Sequence, residues 1–289
     1  MIRAKEIDKI SEQLSVLEII TRAFSELAST HMKHTRTEVL TNREFVTDIS
    51  LVFDEVRASY ADELAKKQLG SRGKDGKITF LSHNGKTVSV LLSANSGLYG
   101  KIVADTFDLF KKEVAQNNTE ITIVGRQGLP LFNSLFPKRA YTFFDIEDRE
   151  RDQGQLSALA RHIVQYDEIH LFYGKFHNIV SQTPDVLSIS SKIDLTPKSG
   201  NRRKYIFEPD IITILQFFES ELFTSLLSQT MQESTLAKLA SRVLSMDAAT
   251  DRISQERKKL AKIQMAMIHR EANKKQLNSL SGILSIQPT

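Results

Sequence analysis

Glycine and proline are missing from both ends of this chain and gathered almost entirely in its middle. Residues 1–60 contain neither, and neither occurs from Asp210 to Ser281. Turns need the free φ of glycine or the fixed φ of proline, so two stretches of this length without either are expected to be uninterrupted helix. In the first stretch, apolar residues recur at 3,4 spacing: Ile7, Ile10, Leu14, Leu17, Phe24 and Ala28. After a one-residue shift the pattern resumes at Met32, Val39, Val46, Ile49, Phe53, Val56 and Tyr60. That spacing holds one narrow stripe on one side of a helix, the pattern of a coiled-coil seam. A single helix over residues 3–60 spans roughly 85 Å at 1.5 Å per residue.

The second stretch opens on Glu208-Pro209-Asp210, where proline suits a first helical turn and acids suit the positive end of the helix dipole. Its stripe is Leu236, Leu239, Val243, Met246, Ile253, Leu260 and Met267, broken by Thr250, Arg257 and Gln264; Gly282 and Pro288 mark its expected end. The helix spans roughly 110 Å. Neither helix can bury its stripe alone. Two long helices at opposite ends of one chain most simply pair as an antiparallel coiled coil. The alternative, each stripe packing on its own globular core, fits poorly with the usual helix length of about 8 to 20 residues.

Between the helices the pattern changes. Lys77–Ser82 and Thr87–Ser93 flank Asn84-Gly85, the signal of a type I′ hairpin. A helix is expected over Lys101–Val114 and another over Gln155–Gln165; strands are expected at Ile121–Val124, Ala140–Phe144, Glu168–Tyr173 and Val186–Ile193. Alternating strands and helices make a small α/β (Rossmann-like) domain with a partly parallel sheet. The expected division is an N-terminal coiled-coil helix over 1–60, the α/β domain with its connections over 61–206, and a C-terminal coiled-coil helix over 207–289.

Composition and motifs exclude more than they suggest. No run of about 18 apolar residues is present, so no direct membrane span is expected. The opening residues lack the apolar core of a secretion signal, which with the absence of cysteine points to the cytoplasm. The net charge is +4, but lysine and arginine alternate with acids along the chain, so no nucleic-acid partner is expected. Gly85-Lys86-Thr87 resembles the end of a phosphate loop but has Phe80 where that motif needs glycine. Gly97-Leu98-Tyr99-Gly100 fits a tight strand-to-helix turn better than an anion site. His31 and His34 share a helix face without a carboxylate at metal-ligand spacing, and His31, seven residues after Phe24, is expected at the seam. No catalytic residue, metal or cofactor is expected: the pattern is a shaft with a small domain.

Several segments, in order, resemble the gamma (central stalk) subunit of F-type ATP synthases. Ala4-Lys-Glu-Ile7 with Ile20-Thr21-Arg22-Ala23 resembles the family opening "KEI…ITKAM". Ser93–Gly100 resembles its "S-D-R-G-L-C-G" turn, and Val124–Gly128 its "IGRKG" segment. Phe172–Asn178 with Gln182 and Pro184 is similar to "YTKFVN…Q.P", Tyr205–Asp210 to "YIYEPD", and Arg242–Asp251 to "RMxAMxAATD". The resemblance implies a non-catalytic rotor whose paired helices turn inside a hexamer of alpha and beta subunits, coupling an ion-driven ring to the beta catalytic sites. It implies as partners alpha, beta, epsilon and the membrane ring of c subunits, at the cytoplasmic face of a membrane. It also implies rotor–stator contacts at Ile20, Thr21, Phe24, Arg242, Met246, Thr250 and Arg270, and an α/β-domain turn at Gly97, Leu98 and Gly100. Phe24 replaces the family's usual methionine, Asn95 and Ser96 replace its Asp and Arg, and "NKxRQAxIT" survives over Gln264–Lys274 only at Arg270. These departures mark a divergent member. The alternative is a non-rotary coiled-coil scaffold or adaptor with an α/β head.

Overall fold

The computed structural model describes residues 4–67, 77–78, 84–147, 153–190, 193–194, 208 and 211–284. Helix α1 runs over Ala4–Lys67 and helix α5 over Ile211–Leu284, as the two glycine- and proline-free stretches require. α5 continues through Gly282 to Leu284, so that glycine does not stop the helix. Two compact units result: the first combines 1–28 with 242–289, the second comprises 29–241.

In the first unit α1 and α5 lie antiparallel. Gln264 donates to Asp8 at 2.8 Å, Arg257 to Glu18, Thr250 to Thr21 at 2.9 Å, and Ser25 to Asp247 at 2.7 Å, so partners climb α1 while descending α5. Buried and half-buried positions on α1 at 3,4 spacing are Ile7, Ser11, Leu14, Glu18, Thr21, Ser25 and Ala28, with Ser15 and Phe24 half-buried beside them. This corrects the expected stripe: Ile10 and Leu17 are 38% and 48% exposed. Polar side chains that bond across to α5 hold the positions that apolar counting gave to their neighbours. On α5 the stripe from Met246 to Met267 is buried or half-buried, including the polar breaks Thr250, Arg257 and Gln264.

In the second unit the same spacing appears on α1 at Met32, Thr35, Val39, Asn42, Val46, Ile49, Phe53 and Val56. Counted from Ile7 the 3,4 alternation never shifts, and His31 is exposed because Met32 and Thr35 take the buried positions. Again the helices are antiparallel: Asn42 bonds Gln232, Arg43 bonds Glu233, and Phe53 packs on Phe218 with ring centres 6.3 Å apart. Phe53, Val56 and Leu215 form a small core of their own.

The unit's five-stranded sheet contains β2 (Thr87–Leu92), β3 (Glu120–Val124), β4 (Thr142–Phe144), β5 (Glu168–Phe176) and β6 (Gln182–Ser190), ordered β4-β3-β2-β5-β6. The first three pairings are parallel, and β5–β6 is antiparallel. α2 (Ile102–Gln116) and α3 (Gly128–Leu135) cover one face, where Phe107, Phe110, Val114 and Phe132 meet Leu91, Ile121, Ile123 and Phe172. The other face takes α4 (Gln153–Ile163) and α5: Leu159, Ile163, Phe223, Leu227 and Met231 pack on Val88, Val90, Leu171 and Tyr173. The domain core is therefore incomplete without the C-terminal helix.

The expected hairpin is not formed. β1 (Lys77–Ile78) pairs antiparallel with β7 (Ile193–Asp194), while β2 lies between two parallel neighbours; residues 79–83 lie outside the described residues. Asn84-Gly85 is still a turn, with Gly85 at φ 75. It is tied to the lead-in of β5 by Asn84 N–H to the Gln165 carbonyl at 2.8 Å and Gly85 N–H to Asp167 at 2.8 Å. The expected helix start at Pro209-Asp210 also lies outside the described residues.

Candidate functional site

Parallel strands end together on one edge of the sheet, and the loops there are held tightly. The β2–α2 turn places Leu98 at φ 68 and Gly100 at φ 62. Asn95 donates to Asp145 at 2.8 Å and accepts from the Arg126 N–H at 2.8 Å, tying the β2, β3 and β4 loops together. Arg126 completes the set with a forked pair to Asp145, Nη2 to Oδ2 at 2.6 Å. The hydrogen bond from Arg126 holds the Asp145 carboxyl below its usual range against the desolvation of burial, with a smaller contribution from Asn95. Gly125, at φ 93, allows this closeness: a Cβ there would lie 2.8 Å from the Ala94 nitrogen.

Beside these loops α5 is buried all round. Every residue from Thr230 to Ser241 is buried, including Gln232, Glu233, Ser234, Thr235 and Lys238. Glu233 accepts from Arg43 at 3.0 Å, and Lys238 donates to the Ser93 carbonyl at 2.9 Å with its ammonium 5.9 Å from the centre of the Tyr99 ring. Burial first, and then the Glu233 and Asp185 charges, push the Tyr173 hydroxyl pKa far up.

At the opposite edge of the sheet, Glu120 accepts from Lys86 at 2.7 Å and from Tyr166 at 2.6 Å. Those bonds lower the Glu120 carboxyl, while burial, reinforced by Glu120, pushes Tyr166 up to about 12. His162 lies between Phe144 and Tyr166, 3.1 Å from Thr122, and its pKa is lowered by burial.

In the first unit, Arg22, Ser25, Glu26, Asp247, Thr250 and Asp251 line an open groove of about 470 Å³. Glu18 beside it is lowered by its bond to Arg257, helped by Arg22 at 2.7 Å. Among the described residues no cluster of three or more histidine, aspartate or glutamate side chains could hold a metal ion. Nor is any helix among them long and apolar enough to cross a membrane.

The residues singled out from sequence fall into three settings. Thr21 and Thr250 meet directly, and Met246 and Phe24 are buried or half-buried in the same unit. Ile20, at 44% exposure, and Arg270 face solvent. Arg242 is buried, and Gly97, Leu98 and Gly100 form the turn of the α/β domain. Arg43 falls at a position that suits the family's opening segment and Gly174 lies within Phe172–Asn178, whereas Glu233, Lys238 and Asp145 carried no visible sequence signal. Only an acid or a lysine inside a stretch that proves wholly buried would have pointed to Glu233 and Lys238.

The family model described as ATP synthase matches residues 3–266, which takes in most of α1 and α5 and everything between them. The chain belongs to the ATP synthase family. Similar members include the ATP synthase gamma chain of Ruthia magnifica subsp. Calyptogena magnifica, 23% identical, the match covering 90% of this chain and 91% of that one. Another is the gamma chain of Mesoplasma florum, 25% identical over 80% of each. Among solved structures, the fold is similar to a chain of the central stalk and c-ring of the Tetrahymena thermophila mitochondrial ATP synthase. The TM-score is 0.57 at 17% identity, covering 80% of this chain and 99% of that one. A chain of the Euglena gracilis mitochondrial ATP synthase gives 0.54 at 11% identity, covering 89% and 95%.

Proposed function

We propose that this ATP synthase family chain is the gamma subunit, the central-stalk rotor that couples an ion-driven ring to catalysis in beta subunits and catalyses nothing itself. The observation that carries this reading is the single family match over 3–266, which takes in helices and domain as one unit. Its partners are the alpha and beta subunits, epsilon and the ring of c subunits, and its place is peripheral, at the cytoplasmic face. The working parts are the helix over 1–60, the α/β domain over 61–206 and the helix over 207–289. A shaft needs stiffness and faces that differ toward three equivalent partners, so that contact energy varies with its angle. Exposed Ile20 and Arg270 would touch the stator, while Thr21, Phe24, Met246 and Thr250 hold the register that presents them. Arg242, buried where α5 emerges from its wholly buried stretch, would fix the helix below those contacts.

The test is an affinity pull-down of the tagged chain from native membranes in mild detergent, read by mass spectrometry. One copy with three alpha and three beta subunits is the expected result. Recovery without a nucleotide-binding hexamer would overturn the rotor reading in favour of a scaffold.

A further inference from the structure

We propose that Lys238 is a positioning residue that fixes the angle at which α5 sits on the α/β domain, and so carries torque between helix and domain. Open parallel sheets bind ligands at the carboxyl ends of their strands where the strand order reverses. Here that point lies between β2 and β5, because the chain leaves β2 toward β3 and β4 and returns to its other side at β5. The crevice is filled by the chain's own helix. At its β5 side stands Gly174, where a Cβ would lie 2.7 Å from Ile102 Cγ1 and 3.4 Å from Ala237 Cβ. At its β2 side Lys238, next to Ala237 on α5, donates to the carbonyl of Ser93, the residue that follows β2.

Apolar packing through Phe223, Leu227 and Met231 holds α5 to the sheet but is non-directional, so by itself it resists twisting poorly. A buried ammonium on a backbone carbonyl is directional. Turning α5 by one residue, about 100°, would carry Lys238 off its acceptor and leave the cation without its bond. The hydroxyls of Ser93 and Ser234 are buried without partners, so neither holds this interface. Glycine at 174 makes room for Ile102 of α2 beside α5; Lys238 sets the angle of α5. The role under load rests on the rotor reading, whereas the docking does not.

Amide hydrogen exchange on the intact chain tests the docking. In Lys238→Met, amides of 230–241 are expected to exchange about ten- to a hundredfold faster, with 153–163 in α4 unchanged. The chain has no cysteine. Lys238→Cys can therefore be aminoethylated in denaturant to rebuild an ammonium of lysine length, and refolded. Restored protection, or restored folding where the methionine variant fails to fold, supports the assignment. Unchanged exchange in Lys238→Met, or no rescue by aminoethylation, overturns it. In the reconstituted complex, Lys238→Met is then expected to keep ATP hydrolysis and lose ion pumping against a gradient. Full pumping would remove the torque role and leave the rotor reading standing.

Discussion

Arg43→Ala is expected to cost far more stability than Glu233→Met, although both break the same ion pair. The two partners sit in different solvent. The Glu233 side chain is 8% exposed and that of Arg43 is 45% exposed, with 3.0 Å between them. Removing the arginine leaves a carboxylate buried on α5 without its cation, and such a break costs about 3–5 kcal/mol. The lower end applies because Arg43 is half in water, which gives about 3 kcal/mol. Removing the glutamate leaves a guanidinium that can hydrate, and methionine fills a similar volume, so that change costs about 0–1 kcal/mol. The double variant should return to the Glu233→Met value, a coupling of about 3 kcal/mol. For a unit of this size, Arg43→Ala lowers the melting temperature by about 6–12 °C. Urea and thermal unfolding of the intact chain, followed by far-ultraviolet circular dichroism, measure all three. Equal losses in the two single variants would refute the reasoning, because they would mean that burial is shared evenly.

Gly125→Ala should destabilise by about 3 kcal/mol, combining its left-handed φ with the clash on the Ala94 backbone. Gly97→Ala, with open space around it, should be neutral or slightly stabilising; similar losses at both would remove the geometric argument. His162 has its pKa lowered by burial, so the folded state favours the neutral ring. The stability this gives is present above the unfolded value of about 6.5 and is lost as pH falls through the folded value. Melting temperature should therefore drop between pH 7 and 5 by an amount that His162→Phe abolishes, and a His162 NMR midpoint at or above 6.5 would contradict this. Replacing Thr21 and Thr250 together by valine should be neutral or stabilising, because both hydroxyls leave at once. A loss above about 1 kcal/mol would show that the pair is worth more than its apolar replacement.

The long helices were legible because their signal is the repeated absence of glycine and proline, which needs no partner to be read. The order of most central strands and helices was legible for the same local reason. What failed depended on contacts between distant residues. The seam drawn through Ile10 and Leu17 followed apolarity, but Glu18 and Thr21 take seam positions because Arg257 and Thr250 meet them. The hairpin at Asn84-Gly85 had the right turn chemistry, yet β2 is claimed on both sides by parallel strands that no local pattern reveals. α3 was missed because Gly128 and Pro130 signal a turn, although proline in a first turn is compatible with helix. The buried Lys238 and Glu233 resemble any surface charge until the sheet and α1 cover them.

The packing of α5 on the sheet bears on how the protein is made. α1 ends at Lys67 and α5 begins at Ile211, so a ribosome working at about 5–20 residues per second leaves α1 without its partner for roughly 10–30 s. Once the strands are made, to Ser190, the sheet face that awaits Phe223, Leu227 and Met231 is also bare. The newborn chain therefore carries two apolar surfaces at once, each a target for chaperones and for neighbouring copies on the same messenger. A truncation between Ser190 and Phe223 would leave both surfaces exposed, so degradation of such fragments should be fast.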